Sequence, residues 1–484
     1  GNVGIGATPV AMHADNSLLQ VGSTATIFAQ TASGAGKSLY IGQNVFRHTD
    51  GTWDTIVEDA QTLYEQNDGS HYFYTGASHA SVSTLVANMV VDNNSRISLS
   101  NNDSGDRNTV FGYDAGLSMH ASSTDNTFIG HRVSDATMTA TADYNTAIGG
   151  ESMSALTSGN GNTAVGYGSM ASNSQGNNNT GIGVNSLTNV STTHNNTALG
   201  LNAGNYTQGA DNTYVGYYAG KGTAGADANN VGVGSNALGA ITDGTHNVAV
   251  GYYASAAITS GNENTVVGSR ALGTANTATF NVAIGGDSMF GIPTGQAVAG
   301  VVAIGLEACK GGASTTTGID GTVAVGRAAL KVLTTGANNT AIGFNALAEA
   351  TLASNNVALG YRALDAIVGD VAGNAGHYNI AIGVDSMGGV NAGTHDDALT
   401  DGNIAIGTNA LIGASFVGAD LDLLGNVVIG HHAMASTSNN AQTGTIAIGY
   451  QSLNALTSGQ YNTAIGYNSM DEHLTGRANT CLGW

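Results

Sequence analysis

One short pattern with glycine at a fixed place returns along most of this chain, and it limits what the fold can be. It begins at Asn108 and is plain at Asn462, Thr463, Ala464, Ile465, Gly466, Tyr467, Asn468, Ser469 and Met470. Twenty complete copies are present, and a truncated copy ends at Gly483 and Trp484. Ten of the twenty successive glycine spacings are 17 residues, and the others run from 16 to 24. A fixed core with an elastic remainder is the signature of stacked repeats, in which no single unit buries a core alone.

The columns of the repeat carry the physics. Counting Asn as the first position, the second is Thr, Val or Ile in all 21 copies, the fourth is always apolar, and the fifth is always Gly. Residues two apart share one face of a strand, and β-branched side chains suit a pleated surface. The second and fourth columns are therefore expected to stack inward, with Thr146, Ile148, Thr163, Val165, Thr340, Ile342, Thr463 and Ile465 as core. Gly149, Gly166, Gly343 and Gly466 would supply a backbone angle or a close approach that a Cβ forbids. Asn at the first position can cap a turn or form a ladder with the Asn one coil away. The eighth position is Ala or Ser except at Val133, and the ninth is usually Leu or Met, with Gly at Gly116, Gly204 and Gly220. Regular Thr arrays on flat solenoids can bind ice, but here Thr exchanges with Val and Ile beside an apolar column, which assigns it to the interior.

A helical reading fails, because glycine at this density costs about 1 kcal/mol per interior site and the branched columns show period two. The expected fold is all-β: an elongated β-solenoid or β-roll of about 20 coils, roughly 100 Å long at ~4.8 Å per coil. Residues 1–106 lack the repeat but contain alternating runs at Ser38 to Ile41 and His71 to Tyr74, with turn signals at Asp50, Gly51 and Asp68, Gly69. They read as a small β-rich module, and residues 107–484 as the shaft.

Composition narrows the function. Charged residues are 9% of the chain, with 12 Lys plus Arg against 33 Asp plus Glu, a formal net charge of −21. That field repels phosphate backbones and anionic lipid surfaces, so nucleic acid is not expected as a partner, and no 18-residue apolar run is present for a membrane span, so membrane insertion is not expected either. Cys309 and Cys481 lie far apart and imply neither a disulfide framework nor a zinc site. A start at Gly1 with no signal pattern reads as a processed or excised portion of something longer.

The Asn-Thr-Ala-Ile-Gly core followed by Phe-Asn-Ala-Leu at Asn339 to Leu347 resembles repeats of bacteriophage tail fibres. It resembles more loosely the β-roll head repeats of YadA-like trimeric autotransporter adhesins. Gly1 to Gly6 and Met89 to Asn102 are also similar to marine phage fibre sequences, so the resemblance covers about four-fifths of the chain. It implies a homotrimer on a virion, outside the cell, joined to other virion proteins and attached to a host-surface glycan or protein receptor. It also implies maturation with a cleaved C-terminal chaperone. The 17-residue period departs from the shorter adhesin-head repeat.

Candidate contacts lie in the elastic part and in one exposed column. The longest insertions are residues 365–378, 388–402 and 412–425, and loops on a rigid scaffold commonly bind. They contain His395, Asp396, Asp397, Asp401, Phe416, Asp420 and Asp422. Sixth-position rings recur at Tyr113, Tyr167, Tyr217, Tyr252, Tyr361, Tyr450 and Tyr467, and a row of rings can stack on sugar faces or on itself. No cofactor and no metal pattern is expected, although three copies of one weak ligand on a threefold axis could hold a structural cation such as calcium. No nucleophile motif or placeable acid pair appears, so a non-enzyme is expected. Three readings follow: a phage tail fibre shaft, a cell-surface trimeric adhesin of a Gram-negative bacterium, and a tailspike-like polysaccharide depolymerase.

Overall fold

The computed structural model describes residues 107–484 except 224, 313–315, 368–375, 391–399, 414–421 and 438–440, and in residues 1–106 only the strands and a few adjoining turn residues. Every regular element among them is a strand. The chain divides into two compact units, one of residues 1–150 with 156–158, the other of 151–155 with 159–484.

The first unit opens with an eight-stranded sheet. Strand Val3–Ile5 runs parallel to Asn16–Val21, and the rest forms an antiparallel meander, including Ser38–Gln43, Gln61–Asn67 and Ser70–Gly76. Its buried face holds Tyr40, Leu63 and Glu65, where the Tyr74 hydroxyl donates to Glu65 at 2.8 Å. The same unit contains the first repeat strands, Thr109–Phe111, Thr127–Ile129 and Thr146–Ile148, which pair in parallel.

In the second unit the other eighteen of 21 repeat strands stack one coil on the next, from Thr163–Val165 to Thr480–Leu482. Each strand is three residues long, parallel to its neighbours, and pairs second position with second and fourth with fourth, as in Val231↔Val248↔Thr265 and Val233↔Val250↔Val267. The repeat is thus one coil of a β-solenoid, as the spacing predicts. Seventeen steps of ~4.8 Å give this unit a length of about 80 Å.

The side-chain parity is the reverse of the expectation. Thr146, Thr163, Thr340 and Thr463 are half-buried at the surface, as is Val165, and Ile148, Ile342 and Ile465 are exposed. The third position, between them, is the one that points inward: Ala147, Ala164, Ala341 and Ala464 have no exposed surface. Period two shows that positions two and four share a face without telling which face, and size decides. A coil of 17 residues encloses a narrow space, and Ala on the strand wall leaves room for Leu or Met from the ninth position of the facing turn, although Val266 and Val428 are accommodated at the same place. Leu238, Leu272 and Met289 fill that place, with Ile241, Ala275 and Ile292 three residues further on, all fully or almost fully buried.

Polar columns complete the interior. Asn247 is buried; its backbone N–H and Nδ2 both donate to Asn230 Oδ1 at 2.9 and 3.2 Å, and Nδ2 also donates to the Gly261 carbonyl at 2.7 Å. Asn264 repeats the arrangement on Asn247. Where Asn follows Asn, the ladder satisfies each buried amide, which is what makes burying it tolerable.

The glycine column is where coil meets coil most closely. A Cβ on Gly251 would stand 2.5 Å from the Gly268 carbonyl oxygen, and φ there is +140°. Residues at positions seven and nine also have positive φ, including Leu238 at 53° and Leu272 at 47°. Each such residue costs on the order of 1–2 kcal/mol, offset by coil-to-coil bonds such as Leu238 N–H to the Ala254 carbonyl at 3.0 Å. Asn recurs at position seven, as at Asn185, Asn202 and Asn236, because it tolerates this conformation.

The glycines at position nine have a different cause. Tyr214 and Phe128 stand at the third position where most coils carry Ala, and both rings are fully buried. A Cβ on Gly220 would approach the Tyr214 ring to 2.3 Å, and one on Gly204 to 3.2 Å. A Cβ on Gly116 would lie 3.3 Å from the Phe128 ring. The ring takes the space that Leu or Met fills elsewhere.

Gly251→Ala should destabilise the second unit by roughly 3 kcal/mol or more, because backbone must shift in the adjoining coil. Ser235→Ala, on the outside of a neighbouring coil, should change stability by less than about 0.5 kcal/mol. Thermal unfolding of the two variants checks the contrast.

Candidate functional site

The outward fourth position gives the second unit a continuous apolar column. Leu199 is 46% exposed, Leu359 44% and Val267 38%, each on the fourth position of its strand. That column is Ile, Val, Leu or Phe throughout and never Thr, so the surface is apolar rather than a lattice of hydroxyls. Exposed aliphatic surface of this regularity, on a chain otherwise strongly acidic, marks an interaction face.

Beyond the glycine bend lies the sixth position, where the predicted tyrosines are all exposed. Coil stacking brings some of them together. Tyr450 stacks on Tyr467 at 5.1 Å and 8°, and on His431 at 5.5 Å and 4°. Tyr361 stacks on Phe344 at 5.5 Å, and Tyr113 on His131 at 5.6 Å. In these stacks one ring covers the face of the next. Tyr167 stands apart from them, its hydroxyl donating to Glu151 at 2.9 Å, and that carboxylate raises its pKa. Tyr217 and Tyr252 lean on their own neighbours, Tyr218 at 4.1 Å and Tyr253 at 4.5 Å.

The insertion residues are less informative as a group. His395, Asp396, Asp397, Phe416 and Asp420 lie outside the described residues. Asp401 is tied into the frame: its Oδ1 accepts from the His377 N–H at 2.6 Å. The Asp422 carbonyl accepts from Gln442 N–H at 2.8 Å. Thr400–Asp401, Leu423–Leu424 and Gln442–Thr443 form a second parallel ladder, so the described ends of these insertions belong to the coils themselves. Among the described residues no three His, Cys, Asp or Glu side chains converge as a metal site would require.

Two features escaped the sequence reading. A cavity of about 420 Å³ is lined by Thr274, Phe290, Ile292, Pro293 and Lys310. It sits where successive coils lengthen to 20 and 21 residues and Val301 and Thr322 replace the ladder Asn. The longer spacing was a signal for it. The second feature is a buried pair in which the Tyr214 hydroxyl donates to Asp227 Oδ2 at 2.6 Å. Asp227 is buried, and desolvation pushes its carboxyl up to about 7 against the opposing pull of hydrogen bonds from Tyr214 and from the backbone of Gln208 and Gly209. Burial first, then the Asp227 charge, raises the Tyr214 phenol well above its ordinary range.

Comparisons of the chain with protein-family models, with curated proteins and with solved structures find no match.

The raised Asp227 carboxyl has a definite sign for stability. The folded state holds the proton more tightly than the unfolded one, so this contribution is full below about pH 4 and is lost as pH rises through about 7. Wild type should therefore lose on the order of a few kcal/mol relative to Asp227→Asn between pH 4 and 8. Paired thermal melts across that range measure it, and parallel curves would refute it.

Proposed function

We propose that the chain is the non-catalytic shaft of a homotrimeric extracellular fibre, of the kind borne on phage tails, which holds contact surfaces against a bacterial host. The observation that carries this reading is the outward apolar column of the fourth position, flanked by Thr, Val or Ile of the second, running coil after coil through the second unit.

An occupant of that ribbon must offer apolar groups at the same ~4.8 Å step over about 80 Å. Another copy of this chain, lying in register alongside, meets that condition. Three residues of strand width make the ribbon about 10 Å wide, so each chain presents on the order of 800 Å², the usual scale for one side of a stable interface. Three ribbons facing a common axis would bury one another and leave the sixth-position rings and the insertions on the outside. Burying the exposed remainder of each aliphatic adds on the order of 0.5–1 kcal/mol per coil, repeated along the unit.

The acidic net charge fits a soluble appendage and disfavours anionic partners. On this reading the partners are two further copies, other virion proteins, and a glycan or protein of the host surface, engaged through many weak contacts acting together.

Sedimentation equilibrium should give a mass three times the 484-residue chain. Ile382→Lys, Ile406→Lys and Ile429→Lys, combined, place charge on three adjoining coils of the ribbon and should yield folded monomer. A wild-type chain that sediments as a stable monomer overturns the proposal. Incubation with bacterial capsular polysaccharides is expected to release no new reducing ends, and their appearance would make the protein a depolymerase.

A further inference from the structure

The eight-stranded sheet of the first unit has its polarity turned inside out. An antiparallel sheet with one covered face ordinarily puts its apolar residues there and its polar residues in water. Here the covered face holds Gln20, Thr26 and Glu65 beside Tyr40 and Leu63. The other face carries Ile27, Ile41 and Phe73, each between 40% and 46% exposed, with Val21 and Leu39 exposed beside them.

Strand register gathers this apolar surface into one row. Leu19 pairs with Ile27, Ile27 with Ile41, Ile41 with Tyr64 and Tyr64 with Phe73, so the row crosses five strands without a polar interruption other than the Tyr64 hydroxyl. The Tyr64 and Phe73 rings meet at 5.1 Å. Exposed Gln43, Thr62 and Gln66 border the row, and among the described residues this face bears no Asp, Glu, Lys or Arg.

The size of the row decides what can cover it. Five strands at ~4.8 Å, each used over about 17 Å, give on the order of 400 Å². That is about half of the ~800 Å² that each side of a stable interface buries. A free partner would therefore hold to it weakly. Another copy of this chain, already joined through the fourth-position column of the second unit, is instead present at a high effective concentration and needs little further area. Such a copy also offers what the face requires: an equally flat apolar sheet to lie ~10 Å away. Because the face is uncharged, identical chains can meet there without bringing like charges together, although each carries a net charge of −21.

We infer that this apolar sheet face packs against the same face of the other copies in the assembly, as a second contact between chains. The inference rests on the fibre reading, which brings the copies together, but it concerns a different unit and a different surface.

Thiol labelling of the full chain tests it. Cys481→Ser removes the accessible native thiol and leaves the buried Cys309. Into that background goes Ile41→Cys, with Tyr113→Cys as the exposed control. A water-soluble maleimide should label Ile41→Cys at least ten-fold more slowly than Tyr113→Cys. Adding Ile27→Lys should bring the two rates together while sedimentation still reads a trimer. Shielding that Ile27→Lys fails to relieve overturns the inference, since the thiol is then covered by its own chain. A trimer whose Ile41→Cys labels as fast as the control refutes the sheet contact alone. A dimer with a shielded thiol that Ile27→Lys exposes supports the sheet contact and refutes the trimer, and a monomer refutes both.

Discussion

Everything in the second unit depends on the close stacking of one coil's backbone on the next at the glycine column. Gly251 N–H donates to the Val233 carbonyl at 2.8 Å, and the contact with Gly268 leaves no space for a Cβ. Because every repeat meets the same limit, all coils stack at one spacing and in one register. The buried Asn ladder fixes that register a second time wherever Asn follows Asn, since each such amide uses the carboxamide oxygen of its predecessor. Lengthened coils leave this frame intact: Val301 and Thr445 still donate their backbone N–H groups to Asn281 and Asn426 at 2.9 Å.

Fixed stacking turns each repeat position into a row. Small residues form the inner wall of the strand and larger ones come from the facing turn, so the branched residues of positions two and four are left outside. A single chain thus keeps the apolar fourth-position column at its surface. Such a surface is costly in water and valuable in association, and it is what the proposed trimer would bury. The sixth-position rings obey the same rule of rows: they stack where adjoining coils carry rings, as Tyr450 does on Tyr467.

Departures from the consensus are local adjustments with identifiable partners. Tyr214 in place of Ala is accommodated by Gly204 and Gly220, and its hydroxyl brings Asp227 into the interior with it. The buried carboxyl makes that part of the solenoid less stable as pH rises. A strict repeat would lack this sensitivity.

The sequence by itself determined the strand class, the one-coil repeat and the indispensable glycine, because the 17-residue spacing and two-residue alternation are visible without coordinates. It also contained the paired exchange of Tyr214 and Phe128 for Ala with Gly220 and Gly116 for Leu or Met, although nothing in one sequence marks those positions as neighbours. Only the tertiary structure decided which face of each strand is inside. Alternation gives two equivalent choices, and hydrophobicity alone favours burying Thr146 and Ile148. The width of the closed coil selects Ala147 instead, a steric limit that exists only once the chain has turned back on itself.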